Sequence, residues 1–321
     1  MSFREAFMNY VETQIERLKG QVIEQNMEAD FADFWRGEVK KLRNVPLKVQ
    51  RKPMELPYKS FKAYEVTFNT HDETQVVGYL CVPGDYREGQ RLPCVAVYHG
   101  GGGSYGVYPD IVATGVCTFS IDLRNQCGKT YDRADYDEIS DYRGGIMSHG
   151  MTDKNNYYMK NLYLDAVRAI DVIESFPEVD TERIVSFGLS QGGALTIVSA
   201  ALSGKVKKAY PCVPSYACLE RRVELGSGVF EAVKYFLHRN PERTDEVLRM
   251  LSYFDINNMV SQLQVPTDFF LGLTDTVCIP PFVYSLYANT NAPKKITLAP
   301  FTGHEISREY KTQLLWEFRG L

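Results

Sequence analysis

Ser190 lies in the pentapeptide Gly188-Leu189-Ser190-Gln191-Gly192, a Gly-x-Ser-x-Gly pattern. A short apolar run, Ile184-Val185-Ser186-Phe187, precedes it, and a helix rich in small apolar residues, Ala194 to Leu202, follows. A serine on a tight turn between strand and helix is held in strained geometry with its hydroxyl exposed at the sheet edge. Flanking glycines keep strand and helix from clashing, and the helix N-terminus favours a developing oxyanion. A hydroxyl is a weak nucleophile and needs a base. In this chain order the acid and then the base follow the serine.

His304 stands between a strand, Lys295 to Leu298, and the last helix, Ile306 to Phe318. That is where the base belongs. His238 is the other histidine after the serine and reads as a helix-surface residue. The acid belongs after the penultimate strand, where Asp275 directly follows Phe269-Phe270-Leu271-Gly272-Leu273-Thr274. Asp268 starts that strand, at its wrong end, and Asp255 falls in an insertion. An aspartate in this role fixes the imidazole tautomer and stabilises the imidazolium. Two backbone N–H groups should hold the oxyanion, those of Gln191 and Gly101. The second lies in the run His99-Gly100-Gly101-Gly102-Gly103 after the strand Cys94 to Tyr98. The same glycines could cradle a phosphate, but no Lys-Ser/Thr follows them.

Strands and helices alternate along the rest of the chain. Phe61 to Phe68 and Gln75 to Val82 read as strands joined by a turn at His71-Asp72-Glu73, and Val116 to Leu123 as a buried strand. Residues 125–153 are irregular. Lys154 to Phe176 has helical spacing, with Leu162, Val167, Ile170 and Ile173 on one face. Arg183 to Phe187, Val206 to Tyr210 and Pro266 to Leu273 read as strands, and Pro280 to Ala288 as a helix. The pattern predicts one α/β domain over residues 1–321, a mainly parallel twisted sheet covered by helices, of the α/β-hydrolase fold. Residues 1–55 are expected to be an N-terminal helical extension, broken by Pro46, Pro53 and Pro57, and 212–264 a small lid-like insertion with two helical stretches.

Composition bounds the partners. The 321 residues are 44% hydrophobic and 24% charged, with a net charge of −4, which is globular and offers no basic stripe for nucleic acid. No run approaches the roughly 18 apolar residues of a membrane span. Met1 to Tyr10 lacks the apolar centre of a signal peptide, so a cytoplasmic location is expected. The seven cysteines are scattered singly and read as reduced thiols, not as a disulfide framework or zinc site. No cofactor or metal is implied.

With these parts in place the sequence resembles carbohydrate esterase family seven, the acetyl xylan esterases and cephalosporin C deacetylases. Members carry Arg-Gly-Gln, Gly-x-Ser-Gln-Gly and His-Glu motifs in that order. The matching residues are Arg124-Asn125-Gln126, the Ser190 pentapeptide and His304-Glu305, and stretches 165–184, 251–259 and 272–281 are also similar. The resemblance implies hydrolysis of small acyl esters, chiefly acetyl, of sugars, oligosaccharides or related alcohols. It implies a homo-oligomer, a hexamer, with active sites facing an internal cavity. Arg124, Gln126 and Glu305 are then structural supports near the site. Two positions depart from the family. Asn125 replaces the motif glycine, and asparagine is the next-best residue at a positive φ. Gly101 stands where members carry a tyrosine, which predicts a roomier acyl pocket. The rival readings are a hydrolase of other specificity (a longer-acyl esterase or a peptidase) and a non-catalytic binding protein on the same fold.

Overall fold

The computed structural model describes residues 3–103, 106–137, 145–226 and 228–321, with side chains from residue 9 onward. One sheet of nine strands organises the chain. In chain order the elements are α1 (Phe3–Lys19), α2 (Phe31–Arg43), β1 (Gln50–Met54), β2 (Phe61–Asn69), β3 (Gln75–Pro83), β4 (Leu92–Tyr98), α3 (Pro109–Val112), β5 (Cys117–Ile121), α4 (Tyr158–Ile173), β6 (Val179–Leu189) and α5 (Gln191–Ser203). There follow β7 (Lys208–Cys212), α6 (Leu219–Leu225), α7 (Glu231–Arg239), α8 (Thr244–Ser252), α9 (Ile256–Met259), β8 (Thr267–Gly272), α10 (Pro280–Asn289), β9 (Lys294–Ala299) and α11 (Arg308–Arg319).

The spatial order is β1-β2-β3-β5-β4-β6-β7-β8-β9. The β1–β2, β2–β3 and β3–β5 pairs are antiparallel, and every pair from β5 across to β9 is parallel. The interior strands β4, β5, β7 and β8 are largely apolar and almost wholly buried, as a sheet covered on both sides requires. Ligand sites in such sheets form beyond the carboxyl ends of the parallel strands. Ser190 follows β6 and Asp275 follows β8 at that edge.

Two expectations need correction. The N-terminal 1–55 segment is not wholly helical, because β1 adds an antiparallel edge strand against β2. Pro53 pairs with Tyr64 there, and an edge strand tolerates a residue that cannot donate. The helix α4 forms within the stretch whose spacing marked it, and all of its residues are buried. It lies between the sheet and α2, with Trp35 packed 5.7 Å from Tyr163. The 212–264 insertion carries four α-helices, α6 to α9, instead of two. Residues 125–153 are irregular as expected where described, apart from one short 3-10 turn at Ile146–Ser148, and the part over 138–144 lies outside the described residues. Among the described residues no helix is long and apolar enough to cross a membrane. All seven cysteines are unpaired, and six are buried.

Candidate active site

Ser190 adopts φ 59° and ψ −119°, a conformation that side-chain-bearing residues rarely take, and the surrounding bonds impose it. Its N–H donates to the Cys212 carbonyl at 3.0 Å, and its own carbonyl accepts from Ala194 and Ser215 N–H, each at 3.0 Å. The two glycines of the pentapeptide are steric necessities. A Cβ on Gly188 would lie 2.4 Å from Gly192 backbone, and one on Gly192 would lie 1.9 Å from the Tyr98 carbonyl oxygen. The helix α5 begins at Gln191, so its N-terminal end meets the serine.

His304 Nδ1 lies 2.8 Å from Asp275 Oδ2. The other carboxylate oxygen of Asp275 accepts from Val277 N–H at 2.7 Å and Cys278 N–H at 2.9 Å. The loop after β8 therefore fixes the carboxylate, and the carboxylate fixes the ring. The Asp275 side chain is fully buried while the imidazole is 26% exposed. The hydrogen bond that the ring donates to Asp275, with help from the neighbouring Cys278 thiol, holds the imidazole pKa above its ordinary value against the opposing effect of burial. Ser190, Gln191, Gly101 and His304 line one cavity of about 650 Å³. Ser190 Oγ makes no hydrogen bond among the described residues, which leaves it free toward that cavity.

The competing residues sit elsewhere. His238 is in the last turn of α7 and does not line the cavity. Asp268 pairs with Lys208 at 2.8 Å. Asp255 caps α9, accepting from Asn257 N–H, and also receives Cys218 and Leu219 N–H.

The Arg124-Asn125-Gln126 segment has a clear physical role. Asn125 has φ 54°, and its side-chain oxygen accepts from Asp132 N–H at 3.0 Å. Arg124 is fully buried and binds Asp165 through two bonds of 2.7 Å, Asp72 at 2.7 Å and Asp132 at 2.8 Å. Gln126 and Gln191 exchange amide hydrogen bonds of 2.7 and 3.0 Å. Gln126 Oε1 also accepts Gly102 N–H at 3.3 Å, and its Nε2 donates to Tyr158 OH at 3.0 Å. One buried amide thus ties the glycine loop to the residue after Ser190. Glu305 is different: its side chain is exposed and makes no hydrogen bond or ion pair among the described residues, so the support expected of it is not seen.

Sequence reasoning missed Tyr216, whose hydroxyl donates to Gln191 Oε1, and the acidic partners of Arg124. It also missed Cys278 as a neighbour of His304. Nothing in local sequence marks these contacts. The insertion supplies Tyr216, Arg222, Val229 and Phe230 to the cavity wall.

The strand-turn-helix serine, the buried Asp275–His304 pair and the mainly parallel sheet define a hydrolase of the α/β-hydrolase fold. The chain belongs to the acetyl xylan esterase (AXE1) family, whose pattern matches residues 8–320, and is a carboxylic ester hydrolase. It is 27% identical over 296 residues to the acetyl esterase Axe7A of Xylanibacter ruminicola, an alignment covering 89% of this chain but only 66% of that protein. It is similar to the solved acetyl xylan esterase from Paenibacillus sp. R4, with a TM-score of 0.89, 32% identity and coverage of 95% of this chain and 98% of that one. Acetyl xylan esterase 1 from Thermoanaerobacterium sp. JW/SL YS485 shares the fold at a TM-score of 0.87, with 24% identity and the same coverage of 95% and 98%.

Proposed function

We propose that this chain hydrolyses acetyl esters of sugars, oligosaccharides or related alcohols through an acyl-enzyme, with Ser190 as nucleophile, His304 as base and Asp275 as its orienting acid. The observation that carries this reading is the 2.8 Å Asp275–His304 bond at the wall of the cavity that Ser190 also lines. His304 takes the Ser190 proton as the oxygen attacks the ester carbonyl. The N–H groups of Gln191 and Gly101 receive the oxyanion. His304 then gives its proton to the departing alcohol, and a water activated by the same ring releases the acid. A Cβ placed on Gly101 would meet nothing within 4 Å, which supports an acyl pocket roomier than one walled by tyrosine.

The helical insertion 212–264 serves as a lid-like wall of this pocket. A cytoplasmic location and a hexamer follow from the family resemblance, and analytical ultracentrifugation tests the second. The direct test of the chemistry is Ser190→Ala with p-nitrophenyl acetate and a fluorophosphonate probe. Activity and labelling should both vanish. A purified Ser190→Ala protein with wild-type turnover overturns the assignment, and failure of the wild type to label favours the binding-protein reading.

A further inference from the structure

The side of His304 that faces Asp275 holds a third group. Asp275, Cys278 and His304 each bring one ligand atom, and these atoms all lie within 4.8 Å of one another. Cys278 and the Asp275 carboxylate are buried, while His304 reaches the cavity. The loop closes the cluster because Cys278 N–H and Val277 N–H both bind Asp275.

Thiolate, imidazole and carboxylate form a ligand set suited to a soft or borderline divalent ion. At zinc bond lengths, two ligands of one tetrahedral ion sit about 3.4–3.6 Å apart. Contraction of the cluster by roughly 1 Å at its widest separation, with an opening of roughly 0.6 Å between Asp275 and His304, would bring all three atoms onto one ion. Thr276, Val277 and His304 line the cavity, so an ion has a path in from solvent.

We propose that Asp275, Cys278 and His304 form an inhibitory site for thiophilic divalent cations such as Zn²⁺ and Cd²⁺, a reversible off-state of the same centre. This proposal rests on the reading of His304 as the base. The ion replaces the thiol proton of Cys278, which passes to solvent, and takes the Nδ1 position of His304, whose single proton moves through solvent to Nε2. With the metal on Nδ1, the neutral ring is held in the tautomer protonated at Nε2. A protonated Nε2 cannot accept the proton of Ser190, and Asp275 no longer orients the ring. Turnover stops although the nucleophile is untouched.

The test uses the full chain with Cys127→Ser, because Cys127 is exposed, lines the same cavity and would compete for metal. Titration with CdCl₂ should give a thiolate-to-cadmium charge-transfer absorbance that saturates at one ion per chain. Cys278→Ala and Cys278→Ser should each abolish it. Inhibition by ZnCl₂, measured for each variant against its own metal-free rate, should weaken by at least about tenfold in both, since loss of outer partners alone costs that much affinity. Chelation with EDTA should restore the parent's rate, and MgCl₂ should do nothing. Equal zinc sensitivity with and without the thiol overturns the proposal, as does absence of the band. Ser190→Ala separates the two readings: the band should survive there while turnover is lost. Turnover retained with the band present sinks only the triad. Turnover lost with no band sinks only the metal site.

Discussion

Gln126→Leu should slow turnover without weakening substrate binding. The wild-type amide makes four hydrogen bonds, with Gln191 twice, with Gly102 N–H and with Tyr158 OH. Leucine fills similar space and satisfies none of them. The Gln191 amide and Gly102 N–H are left short of partners in a buried setting, at about 1–3 kcal/mol for each unsatisfied group. In a chain of this size that lowers the melting temperature by several degrees. Function is affected because Gln126 bridges the two segments that carry the proposed oxyanion donors, Gln191 and Gly101 N–H. Complete loss of one such donor costs roughly 10²–10³ in kcat. The glycine loop keeps another anchor, the 3.0 Å bond from Gly103 N–H to the Gly100 carbonyl. A partial loss of about 10–100-fold follows. It should fall on kcat, with KM nearly constant, because the oxyanion exists only in the transition state. Steady-state kinetics on p-nitrophenyl acetate, paired with a thermal melt, check this. A folded variant whose kcat stays within about twofold of wild type refutes the coupling of amide to oxyanion site.

Arg124→Met should remove about 3–5 kcal/mol of stability, because Asp72, Asp132 and Asp165 then lose their shared buried cation; an unchanged denaturation midpoint would contradict this. Acidification should destabilise the fold through His71, whose pKa burial depresses to about 4, with Arg124 and Lys160 reinforcing the shift and Asp72 opposing it. The unfolded chain takes up that proton from about pH 6.5 downward and the native state only near pH 4, so stability falls across this window by roughly 3 kcal/mol. Burial alone would raise Asp72, but Arg124 more than offsets it and holds the carboxyl at about 2, so its own contribution is lost only at lower pH. Urea titrations at pH 7 and pH 4.5 should show the loss in wild type and a smaller one in His71→Gln. Gly101→Tyr should raise the preference for acetate over hexanoate esters by filling the space beside Ser190, and an unchanged kcat/KM ratio between the two would argue against a roomier pocket.

Much of the site was legible because its determinants are local. The pentapeptide around Ser190 reads directly, since a strained turn demands glycines wherever a Cβ would strike backbone. Asn125 follows the same logic, and its φ of 54° bears out the expectation. Chain order placed Asp275 and His304, because alternating strands and helices deliver successive loops to one sheet edge. The strand β1 was hidden: Gln50 to Met54 is exposed along most of its length and carries no apolar alternation. The spacing marked α4 as a helix, but not that the whole of it is buried, which follows from α2 covering the side away from the sheet.

The sequence by itself thus determined the elbow, the order of its partners and the α/β class, all of which depend on steric and hydrophobic patterns a few residues long. Tertiary structure alone decided that Gln126 meets Gln191, that Tyr216 reaches the same amide, that three aspartates share Arg124 and that Glu305 turns to solvent. Those outcomes join residues far apart in the chain. They were settled by how the packed helices and loops could satisfy buried polar groups, which no local pattern encodes.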